Sequence, residues 1–191
     1  MWEELVELGE ENLGDEEKKA RNFRAKLLGL IYEDLLKVWF KNKCYEVLRK
    51  DVRKGKYGKK KAAVDFILKK GCNLYAVEAK CWPAYLNGKL KKITLNNIEQ
   101  IKKEFKTPFL EKDFVKKYTF KENGINGKIL VWWDVEESEV EQIKRDLNLS
   151  ELISIKKVLN DLKKEPNKEI KEIVGKYKKR ADELFDALLN G

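Results

Sequence analysis

Three charged residues stand inside apolar, strand-like sequence. Asp65 lies in AAVDFIL, and Glu78 and Lys80 lie in LYAVEAKCW. Charges in such surroundings are costly to bury unless they are paired, bind a metal or do chemistry. Successive side chains of a strand point to opposite faces, so Glu78 and Lys80 share one face. Tyr75, Val77, Ala79 and Cys81 take the other and can enter a core. Residues 69–73, with Gly71, read as a turn. A hairpin there carries Asp65 close to Glu78. Two adjacent carboxylates repel, and a divalent cation that favours hard oxygen ligands, Mg²⁺ or Mn²⁺, relieves that repulsion. A lysine beside such a site orients or activates water, or stabilises developing negative charge. The set suits metal-assisted phosphodiester hydrolysis. The plain alternative is a cross-strand ion pair, Lys80 with Asp65, on a solvated sheet face.

The rest of the composition narrows the choice. The chain has 191 residues and no histidine, which excludes Ser-His-Asp and Cys-His catalysis and histidine-bound zinc. The three cysteines, Cys44, Cys72 and Cys81, are odd in number and lack CxxC spacing. They point to a reduced, cytoplasmic setting and not to a disulfide framework. No apolar run is long enough to span a membrane, and the acidic start MWEELVELGEE is not a signal peptide. The net charge is +9. Residues 41–71 hold twelve Lys or Arg against Glu46, Asp51 and Asp65, so the whole excess sits in the segment that leads into Asp65. A focused basic surface attracts polyanions, nucleic acid foremost.

The elements that must position these residues follow from periodicity. Residues 2–13 suggest a short acidic helix. A long helix over about 16–42 carries Phe23, Leu27, Leu30, Ile31, Leu35, Val38 and Trp39 on one stripe. Residues 43–52, 62–68 and 74–82 read as three strands of a meander, with 54–61 (KGKYGKKK) a basic, glycine-containing turn or loop. A helix follows to about Phe105 and Pro108 stops it. Residues 109–123 are ambiguous, and 128–135 (KILVWWDV) read as a strand. Within it, Trp132 and Trp133 face opposite ways, so one belongs to the core. Helices are expected over 136–147, 150–163 and 167–189. The fold class is mixed α/β: a central mixed sheet flanked by helices. The chain reads as a single domain, 1–191, with its core over 16–135 and a helical part over 136–191 for dimerisation or recognition.

Val64-Asp65 followed by Val77-Glu78-Ala79-Lys80, in this order of elements, resembles the PD-(D/E)xK nuclease superfamily, the restriction-endonuclease-like enzymes. The match covers roughly residues 24–135; Val64 stands where many members have proline. The resemblance implies a metal-dependent DNA endonuclease, restriction-like and acting as a homodimer on double-stranded DNA. Structure-specific relatives such as Holliday-junction resolvases, which act on branched DNA, are the alternative within the fold. It implies Asp65 and Glu78 as ligands of Mg²⁺, or of Mn²⁺ in its place, with the Ala79 backbone carbonyl as a further ligand. Lys80 would position the attacking water. Glu33, in LIYEDLL, is the implied additional acid, with Asp34 its fallback, and Gln100 the implied helix glutamine. Lys54, Lys56, Tyr57, Lys59, Lys60 and Lys61 are the candidate DNA contacts, because basic residues beside an aromatic suit phosphate contact and stacking. Trp82 is a further candidate for the cleft. Outside enzymes, a non-catalytic nucleic-acid-binding protein with three structural charges remains the competing class.

Overall fold

A computed structural model of the chain describes residues 15–81, 92–105, 107–164 and 168–190; the side chains of 15–28, 50–54 and 184–190 are not among those described. The elements are α1 (Asp15–Asn42), β1 (Glu46–Tyr57), β2 (Lys60–Lys70), β3 (Asn73–Lys80), α2 (Ile98–Phe105), α3 (Phe114–Lys117), β4 (Tyr118–Phe120), β5 (Asn123–Gly124), β6 (Gly127–Trp132), α4 (Val140–Leu147), β7 (Glu151–Ser154), α5 (Ile155–Lys164) and α6 (Lys168–Asn190). They build one mixed sheet of seven strands in the order β5-β4-β1-β2-β3-β6-β7. The β1–β2–β3 meander is antiparallel, while β6 joins β3 and β7 joins β6 in parallel, each after a helical crossover. The expected mixed sheet flanked by helices is the observed architecture.

Each face of the sheet carries its own core. Ile67, Ala76, Leu130, Trp132 and Leu152 pack with Ile98 and Ile101 of α2, Phe114 of α3, and Ile143 and Leu147 of α4. On the other face Phe66, Leu68, Val77, Cys81, Ile129 and Val131 meet α1 and α5. The α1 stripe is rotated from the sequence reading. Tyr32, Leu36 and Phe40 are buried with Leu35, Val38 and Trp39, while Leu30 is 44% exposed. β2, β3 and β6 are covered on both sides, so their apolar runs are nearly continuous rather than alternating. Helix α6 lies along α1, held by Ile170, Ile173 and a hydrogen bond from Tyr177 Oη to Asp34 Oδ2 at 2.8 Å.

Three local readings change. The expected turn or loop at 54–61 is a turn, but a tighter one: β1 runs to Tyr57, β2 starts at Lys60, and Tyr57↔Lys60 is the closing pair. Gly58 takes φ 58° there, a left-handed conformation that glycine adopts at little cost. The expected helix over 150–163 begins instead as β7, and only Ile155–Lys164 is helical. Neighbouring Leu152 and Ile153 enter opposite cores, which a strand allows and a helix does not. The part beyond residue 136 is therefore helical with one strand in the sheet. The strand expected to reach Val135 ends at Trp132, and Val135 makes an isolated parallel bridge with Ile93. The helix expected over 2–13 and the Trp82 position lie outside the described residues.

Candidate active site

The β2–β3 ladder stops at Phe66↔Val77, one residue short of Asp65 and Glu78. Alternation in β2 slips at the same place. Val64 and Ile67, three apart, join one core, while Phe66 and Leu68 join the other. The gap is bridged by a side chain: Ala79 N–H donates to Asp65 Oδ2 at 2.6 Å. Asp65 thus replaces a ladder partner and stays half-buried at the splayed end of the hairpin. β3 continues in register on β6 instead, with Glu78↔Leu130 and Lys80↔Trp132. That pairing fixes the backbone under Glu78 and Lys80 with parallel-ladder precision.

Glu78 is 9% exposed, buried rather than on a solvated sheet face. Lys80 Nζ donates to its Oε1 at 2.5 Å. Burial pushes the Glu78 carboxyl up to about 7; Lys80 opposes this and Asp65 adds to it. Asp65 and Glu78 lie within electrostatic reach of each other, and their carboxylate oxygens are of the hard type that Mg²⁺ and Mn²⁺ prefer. They are the side chains that fit such an ion, with Lys80 alongside. Beneath them Cys81 is buried, and burial followed by Asp65 pushes its thiol well up, so it is inert packing and not a nucleophile.

The structure brings together Asp65, Glu78, Ala79 and Lys80, and sets other candidates apart. Glu33 lies half-buried on α1 and reaches this end of β3 electrostatically through Cys81. Among the described residues no group of three or more acidic or thiol side chains gathers to hold a metal, so Glu33 does not complete such a cluster. Asp34 serves the α1–α6 contact. Gln100 is exposed and donates to Glu104 of its own helix at 2.7 Å. Lys92 pairs with Glu136, and Lys102 with Glu99. Lys56, Lys59, Lys60 and Lys61 are exposed at the hairpin tip. The Lys54 side chain is not among those described. Tyr57 is engaged: its hydroxyl donates to Asp113 at 2.7 Å and its ring stacks on Phe114 at 5.8 Å. Trp132 is the buried member of its pair, and Trp133 is half-buried under Lys156.

Two buried polar groups escaped the sequence reading. Lys128, read as a strand start, is fully buried and donates to the carbonyls of Phe109 and Glu111, both at 2.7 Å. The signal for it is weak: a lysine on the same alternation as Leu130 and Trp132. Tyr118 is fully buried against Gly55, where any Cβ would strike its hydroxyl. No periodic pattern in 109–123 announces it.

No protein-family model, no curated protein and no solved structure matches the chain. Among the described residues no helix is long and apolar enough to cross a membrane.

Proposed function

We propose that the chain is a metal-dependent DNA endonuclease of the restriction-endonuclease-like kind. One observation carries the reading: Asp65, Glu78 and Lys80 converge where β2 and β3 part, with the Ala79 N–H bonded to Asp65 and Lys80 bonded to Glu78. Asp65 and Glu78 would hold Mg²⁺, or Mn²⁺ in its place, with the Ala79 carbonyl. The ion, when bound, supplies charge neutralisation for the phosphodiester and a more acidic water. Lys80 has a separate task. Its ammonium, beside Glu78, would orient the attacking water or meet charge growing on the phosphate. The basic segment before Asp65 draws the substrate in. Cutting both strands of a duplex calls for two such sites, hence a homodimer, with residues 136–191 contributing to the interface or to recognition.

The test is plasmid digestion. Supercoiled and relaxed DNA are incubated with Mg²⁺, Mn²⁺ or EDTA. Metal-dependent cutting that disappears in Asp65→Ala and Lys80→Ala supports the site, and cutting that persists in both sinks it. Discrete fragments indicate a restriction-like enzyme, and cutting confined to a four-way junction indicates a junction-specific nuclease. The 2.5 Å Lys80–Glu78 pair favours one second reading, a nucleic-acid-binding protein in which these charges are structural. That reading predicts DNA binding with no cutting under any metal.

A further inference from the structure

The β1–β2 hairpin outruns its neighbour. β3 leaves β2 after Phe66↔Val77, so the first residues of β2 pair with β1 alone. Because β3 is antiparallel to β2, this arm extends from the same end of the sheet that holds Asp65 and Lys80. A distant segment braces it. Lys56 pairs with Thr119, Tyr57 pairs with Tyr118, and Gly58 N–H donates to Lys117 O at 3.0 Å. Tyr57 is clasped between Phe114, stacked at 5.8 Å, and Lys117, whose Nζ lies 5.6 Å from the ring centroid. Asp113 accepts from Tyr57 and pairs with Lys117. The arm is a built, fixed projection.

Its exposed charge is predominantly positive. Lys56, Lys59, Lys60, Lys61, Lys116 and Lys121 are all exposed, and none pairs with a described carboxylate. Asp113 is already taken within the brace, which leaves Glu111 and Glu122 as the other acids of the 111–122 segment. Exposed aromatic platforms, which single-strand binders use to stack bases, are missing from the described arm: Tyr57 is clasped and Phe114 and Tyr118 are buried. Charge without stacking surface suits the phosphates of a duplex.

We propose that this braced arm is a metal-independent site for the backbone of duplex DNA, separate from the place of cleavage at Asp65, Glu78 and Lys80. This rests on the endonuclease reading for its purpose. Lys61 and Asp65 are four residues apart on one strand, roughly 13 Å at about 3.3 Å per residue. That span is close to the roughly 12 Å width of the DNA major groove. One backbone can thus lie at the carboxylates while the other lies on the arm.

The experiment is fluorescence anisotropy with a labelled duplex of about two helical turns, in EDTA, over a series of KCl concentrations. Wild type is compared with the triple variant Lys59→Glu/Lys60→Glu/Lys116→Glu and with Asp65→Asn. The triple variant is expected to melt as wild type does but to bind at least tenfold more weakly. Its slope of log affinity against log salt should shrink by about 0.9 per lost phosphate contact. Asp65→Asn, which keeps every lysine of the arm, should bind within a few-fold of wild type. Unchanged affinity and slope in the triple variant overturn the proposal, as does tighter binding of single-stranded DNA or duplex RNA than of duplex DNA. Plasmid cutting by Asp65→Asn would defeat the nuclease reading and leave the arm to stand on the binding data.

Discussion

Lys80 and Glu78, two residues apart on β3, form an ion pair of 2.5 Å whose side chains are 18% and 11% exposed. Such a pair costs desolvation on both sides, and removing one partner strands the other. If the proposed nuclease reading holds, Lys80→Met should therefore do more than delete a water-positioning group. Glu78 loses the cation that holds its carboxyl down and keeps its proton to higher pH. Cleavage at neutral pH should fall at least about 100-fold, the usual contribution of a positioned acid–base group. What activity remains should rise more steeply with pH than in wild type. Rate profiles from pH 6 to 9 check this; parallel profiles for the two proteins would count against it.

Glu78 also makes folding depend on pH. Its carboxyl ionises near 4.5 when unfolded and at about 7 when folded. Between those values the folded state binds more protons, so stability falls as pH rises through that window. The loss is on the order of 1–3 kcal/mol. Glu78→Gln should flatten this limb of the metal-free melting curve. Mg²⁺ should raise the wild-type midpoint above pH 7 and leave the variant nearly unmoved. A Glu78→Gln midpoint that tracks wild type across pH 5–7.5 would contradict the burial argument.

Lys128 predicts the opposite slope on the alkaline side. Burial holds its ammonium down at about 7, against an ordinary 10.5. Between those values the unfolded chain binds more protons, so stability climbs with pH, by at most about 1.4 kcal/mol per unit. Lys128→Met should remove that climb between pH 7.5 and 9.5 in chemical denaturation. Two lost hydrogen bonds to Phe109 and Glu111 make the variant's absolute stability a poor readout, and the slope is the quantity to compare.

Gly55 and Tyr118 should be coupled. A methyl at Gly55 collides with the Tyr118 hydroxyl and the ring edge that carries it, and neither can yield easily because the ring is buried and stacked 4.7 Å from Phe114. Gly55→Ala should cost roughly 1–3 kcal/mol as overpacking does. The Tyr118 hydroxyl is buried with no hydrogen-bond partner among the described residues, so Tyr118→Phe should be neutral or stabilising. The double variant should recover part of the Gly55→Ala loss. Strict additivity in denaturant melts would show that the two groups do not meet.

Much of the sheet was legible in local pattern. Gly71 and the apolar runs beside it placed β2, β3 and their turn, because strand alternation and turn chemistry act over a few residues. The pairing of Glu78 with Lys80 on one face followed from the same period of two. β7 was hidden, since Leu152, Ile153, Ile155 and Val158 also satisfy a helical stripe. Only the open edge of β6 decides for a strand. The arm at 54–61 was hidden too: its lysines and glycines read as a turn or loop, and β4 and α3, distant in sequence, are what brace it.

The amino-acid order alone named the candidates for chemistry: no histidine, two carboxylates and a lysine in apolar strands, and a positive excess confined to the segment around Asp65. Those are matters of residue type and short-range spacing. The fold decided which of them meet. It ended the β2–β3 ladder at Phe66, gave the Ala79 N–H to Asp65, and buried Glu78 against Lys80. It assigned Asp34 to Tyr177 and Tyr57 to Asp113. These outcomes depend on contacts between residues far apart in the chain and on how much water each group keeps, and neither quantity is carried by local sequence.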